Sequence, residues 1–109
     1  MMKQGLPEFF EKVRDKYPDI CEKYEALGTV LSAFPGLDLK TQQLVKLGVA
    51  IGSGSEGALH SHVRRAREAG ASDDEIHHTA LLAITTVGWP RAVAALSWMD
   101  DILNEIKGG

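Results

Sequence analysis

The chain has 109 residues, 44% hydrophobic and 25% charged, the composition of one globular domain with a real core and no room for a second. A formal charge of −3 supplies no global field for nucleic acid, and the single cysteine, Cys21, excludes an internal disulfide framework and any intramolecular dithiol chemistry. No apolar run is long enough for a secretory signal or a membrane span, so a cytoplasmic protein without membrane or nucleic-acid partners is expected.

From Pro7 to Phe34 the apolar residues Phe10, Val13, Tyr17, Ile20, Tyr24, Leu27 and Leu31 recur three or four apart, the period of a helix face. Pro18 interrupts the run. A proline removes an interior hydrogen bond but suits a first turn, so two helices are predicted, at about 7–17 and 18–33. After the turn "FPGLD", Asp38 caps a helix in which Leu44, Leu47 and Ile51 share a face opposite Gln42 and Lys46, and which ends in the glycines of 52–57.

The segment "EGALHSHVRRAREAG" carries Leu59, Val63 and Ala66 on one face and stops at Gly70. Ser72 with Glu75 three residues on is a capping box, and Asp73 and Asp74 between them suit the positive end of the helix dipole. That helix is predicted to reach about Val87 and to be buried on most of its later faces. Gly88 and Pro90 then open a last helix, apolar at Val93, Leu96, Trp98, Ile102 and Leu103, as far as about Ile106. One strand candidate, Leu44 to Ile51, cannot build a sheet, so the fold is expected to be all-α, with five to six helices around a central antiparallel pair.

The stretch "GSGSEGALHSH" satisfies the dinucleotide pattern GxGxxG at Gly52, Gly54 and Gly57. That reading needs a strand before the glycines and a second parallel strand ending in an acid; here another capped helix follows Gly70, and the reading is set aside. A phosphate cradle at the helix start is a milder possibility. The glycines are read instead as a linker and a tight helix entry.

His60 and His62 lie two apart, about 200° around a helix, so they cannot chelate one metal, and a zinc site there needs ligands from elsewhere. His60, Arg64 and Arg67 form one stripe, while His62 lies nearer the apolar side with Val63 and Ala66 and is the candidate for burial. Asp73 with His77 and Asp74 with His78 are spaced to hold each imidazole in one orientation or to form surface ion pairs, the second being favoured; a metal site from His77, His78 and the aspartates is a further alternative whose geometry nothing in the sequence sets. The apolar run of Leu81, Leu82, Ile84 and Val87 exceeds what a chain this short can bury, which points to self-association.

"HVRRAREAGASDDEI" followed by "ALLAITTVGWPRAVAAL" resembles the carboxymuconolactone decarboxylase and alkylhydroperoxidase D-like superfamily over about Asp38 to Leu103. The resemblance implies a helical family core at 38–106 behind N-terminal helices at 7–34, assembled as homotrimers or hexamers with sites near subunit contacts. It places the two cysteines of the family's redox branch at Ser55 and Ala58 and its acidic relay at Gln43, all three replaced, so dithiol peroxide reduction is not expected. The decarboxylase branch is the better match. It implies a small carboxylate or lactone as ligand and no cofactor, and its chemistry calls for a histidine or acid to shuttle a proton; on this chain that role is assigned to His62, with His60 as its assistant and Glu56 as a carboxylate partner. Arg64 or Arg67 then clamps the anion, with Ser55 also on the substrate. The alternative is a non-catalytic oligomeric module that kept the fold.

Overall fold

A computed structural model describes the chain from residue 2 to 108, with side chains from Phe9 onward. Six helices follow one another: α1 (Met2–Lys16), α2 (Pro18–Ala33), α3 (Leu39–Ser53), α4 (Glu56–Glu68), α5 (Asp73–Val87) and α6 (Trp89–Gly108). No strand occurs among the described residues, so the Leu44 to Ile51 segment is helical. The chain divides into two compact units, residues 1–36 and 37–109.

In the first unit α1 packs on α2. Pro18 sits in the first turn of α2, as its missing N–H requires. The predicted start of α1 at Pro7 is corrected: the helix begins at Met2 and runs through Pro7, five residues before the expected boundary. No residue of α2 is buried, and Phe10, Ile20, Tyr24 and Phe34 all lie more than half exposed.

The second unit holds the core. Here α3 packs on α4 and α5, and α6 covers α4 and α5. The predicted stripe of α4, Leu59, Val63 and Ala66, is fully buried and meets Leu47 and Ile51 of α3 and Met99 and Ile102 of α6 in one cluster. In α5 only Ile76 and Ala80 are buried, one helical turn apart. The expectation of a largely buried α5 is therefore corrected: Leu81 and Leu82 point away from that line and stand 50% and 61% exposed. Trp98 packs against the core, whereas Trp89 is exposed.

The helix starts are fixed where the sequence places cap residues. Asp38 accepts from the Thr41 N–H at 2.8 Å, and Ser72 and Glu75 exchange bonds of 3.0 and 2.9 Å as a complete capping box. Between α3 and α4 the chain turns through Gly54, whose φ of +71° lies in the left-handed region. A Cβ there would come 3.0 Å from Arg91 Nη1, which crosses from α6 to donate to the Ile51 and Gly52 carbonyls. The glycine pattern thus serves a helix exit with an arginine laid over it.

Candidate functional site

Helix α4 and its cap Ser55 carry the residues expected to act on substrate, and present them to different surroundings. Its start is set by Ser55, whose Oγ accepts from the Ala58 N–H at 3.2 Å. Ser55 therefore already has a structural partner at the position expected to touch substrate.

On the α3 side, His62 is half-buried and its Nδ1 lies 2.7 Å from Gln43 Oε1. An amide oxygen only accepts, so Nδ1 carries the hydrogen and Nε2 keeps the lone pair. Burial, then the positive charges of Arg65 and Lys46, holds the His62 pKa below its ordinary value. His62 is consequently neutral at physiological pH, with one nitrogen anchored and the other available as a proton acceptor. In the sequence Gln43 shows only as the replacement of an acid, and its bond to His62 comes from packing between α3 and α4. Arg65 and Lys46 are visible there as cations without an assigned role, although each stands one helical turn after His62 and Gln43 respectively.

On the α6 side stands a second group. His60 Nε2 lies 3.7 Å from Glu56 Oε2 and 3.9 Å from Asp101 Oδ2. That nitrogen is buried and has no hydrogen-bond partner. His60 and Glu56 thus belong together but not with His62, and the expected catalytic set of His62, His60 and Glu56 does not converge on one point.

The expected anion clamps are engaged elsewhere. Arg64 Nη2 lies 3.5 Å from Glu105 Oε1, and Arg67 Nη1 donates to the Ala71 carbonyl at 2.8 Å, with Asp73 at 3.8 Å. Asp73 and His77 make a charge contact rather than a bond: Lys107 chiefly, then Arg67 and His77, hold the Asp73 carboxyl below its ordinary range, while the direct bonds run to α6. His77 Nε2 bonds Asp100 at 2.8 Å and Asp73 takes Lys107 at 2.8 Å, because α6 offers partners closer than one turn of α5 does. Between α3 and α5 lies an open groove of about 280 Å³ lined by Leu44, Val45, Leu82, Val87 and two threonines, with no charged group in its wall. His62 does not line it.

Residues 18–101 match the profile of the carboxymuconolactone decarboxylase family. The chain belongs to this family. The match begins at Pro18, so the carboxymuconolactone decarboxylase region includes α2, upstream of the Asp38 start that the resemblance gave. Two uncharacterized proteins of Methanocaldococcus jannaschii are similar, one 26% identical over 87% of this chain and 92% of its own length, the other 29% identical over 96% and 88%.

Among solved structures, a carboxymuconolactone decarboxylase family protein from Legionella pneumophila in its apo form superposes with a TM-score of 0.82 at 17% identity, covering 94% of this chain and 91% of its own. A Thermotoga maritima protein superposes at 0.75 with 24% identity, covering 97% and 96%. Both share the helical fold. The positions expected for redox cysteines in the family hold Ser55, engaged as a helix cap, and Ala58, while Cys21 lies on α2.

Proposed function

We propose that the protein binds or transforms a small carboxylated molecule of the lactone class, with His62 as its proton carrier, in the cytoplasm. The observation that carries this reading is the His62 environment: a half-buried neutral imidazole held at Nδ1 by Gln43, under the positive field of Arg65 and Lys46. Those two cations, rather than the engaged Arg64 and Arg67, are assigned to hold the carboxylate. For a lactone acid the step breaks the carbon–carbon bond to the carboxylate, and carbon dioxide departs. The electron pair passes into the conjugated lactone carbonyl, and a proton taken up at Nε2 goes to a ring carbon. A lowered pKa makes the His62 imidazolium a stronger acid than a free one, which suits that delivery. No thiol stands at 55 or 58 to support peroxide reduction.

The test is a thermal-shift screen of the protein and a His62→Gln variant against 4-carboxymuconolactone and simple carboxylates, followed by turnover assays on any ligand found. A midpoint raised in the native protein and not in the variant supports the reading. Equal shifts in both remove His62 from the site. A second reading, a homotrimeric or hexameric module without turnover, draws on the apolar side chains left exposed on α2 and α5.

A further inference from the structure

His60 reaches from α4 toward α6, and its buried Nε2 is left without a hydrogen bond beside two carboxylates. An imidazole and a carboxylate that pair directly close to about 2.7–2.9 Å. His77 and Asp100, one residue before Asp101 on α6, do so at 2.8 Å. His60 instead keeps Glu56 Oε2 at 3.7 Å and Asp101 Oδ2 at 3.9 Å, and the donor atoms of all three residues lie within 4.8 Å of one another. With metal–ligand bonds of about 2.0–2.2 Å, neighbouring ligand atoms around a tetrahedral or octahedral ion stand about 3.0–3.6 Å apart. The three donors are thus too far apart to bond one another and within small side-chain adjustments of enclosing an ion.

We propose that Glu56, His60 and Asp101 bind a divalent first-row transition-metal ion, represented by Zn²⁺, between α4 and α6. Glu56 and His60 stand one helical turn apart on α4, and Asp101 supplies the ligand from another element that the histidine spacing alone lacks. One imidazole nitrogen with two carboxylates suits such an ion better than Mg²⁺ or Ca²⁺, which take oxygen ligands throughout. The ion, bound at Nε2 with the ring hydrogen on Nδ1, gives the orphaned nitrogen a partner and balances the two carboxylates. Three protein ligands leave a coordination position for water. The site does not involve His62 and stands whether or not the function proposed above is correct.

The experiment is calorimetric titration of ZnCl₂ into the chelator-stripped full chain at pH 7.5, with His60→Asn, Asp101→Asn and His77→Asn variants checked for native circular dichroism. The expected result is one equivalent bound per chain, weakened at least about tenfold in the His60 and Asp101 variants and unchanged in the His77 variant. A Zn²⁺-dependent shift of the His60 ring nitrogens in ¹⁵N spectra locates the ligand directly. Absence of binding to the native chain overturns the proposal, as does a His77→Asn loss equal to that of His60→Asn. Native affinity in His60→Asn overturns it too.

Discussion

A glutamine opposite His62 matters because of what it is not. A carboxylate at Gln43 would favour the imidazolium, whereas the amide oxygen accepts the Nδ1 hydrogen without adding charge. The folded His62 therefore binds protons less readily than in the unfolded chain, through burial first and the two cations second. Its contribution to stability is full above the unfolded value of about 6.5 and is lost as the pH falls through that value toward the folded one. Gln43→Glu should move the His62 titration, followed by its ring-proton resonances, upward by about one pH unit or more. A midpoint that does not move would mean that residue 43 and His62 do not touch in solution. The difference in stability between the native protein and His62→Gln should likewise shrink as the pH is lowered from 7.5 to 5.5.

At the scale of the helix, the terminal residues determine more than the interiors. Ser72→Ala removes the hydroxyl that accepts from Glu75 N–H, and should cost about 1 kcal/mol in denaturant unfolding with native helix content retained. No loss would mean that water replaces the cap without penalty. Such starts were legible in the sequence because a cap and its target amide lie within one turn: Asp38 with Thr41, and Ser72 with Glu75, satisfy neighbours that the chain itself brings together. Cross-helix partners were not legible in that way. Asp101 comes to His60 from 41 positions along the chain, and Gln43 meets His62 from 19, so both contacts depend on packing between helices. The apolar run in α5 misled for the opposite reason. Composition records that Leu81 and Leu82 are hydrophobic, but only the line through Ile76 and Ala80 decides which face turns inward.

Across the whole molecule, the burial pattern is uneven. The core of residues 37–109 is closed around Leu59, Val63 and Met99, while Val49, Leu82 and Trp89 of the same unit, and Ile20, Tyr24 and Phe34 of the other, stand more than 60% exposed. Apolar surface of that extent is unusual on a solitary chain and is the surface that association removes from water. Light scattering at micromolar concentration should therefore give a mass that is a multiple of 11.8 kDa, and the thermal midpoint should rise with protein concentration. A stable monomer of 11.8 kDa would leave these faces without the role assigned to them.

The cap at Ser55 bears on any attempt to retrofit peroxide chemistry onto this scaffold. Its hydroxyl oxygen holds the Ala58 amide and so secures the first turn of α4. A thiol is a poorer acceptor, so installing cysteine there surrenders the anchor and loosens the turn. Yet the amide hydrogens released by that exchange are the groups that stabilise a thiolate at a helix start. In this protein, fragility and nucleophilicity would be gained together by replacing a single oxygen with sulfur.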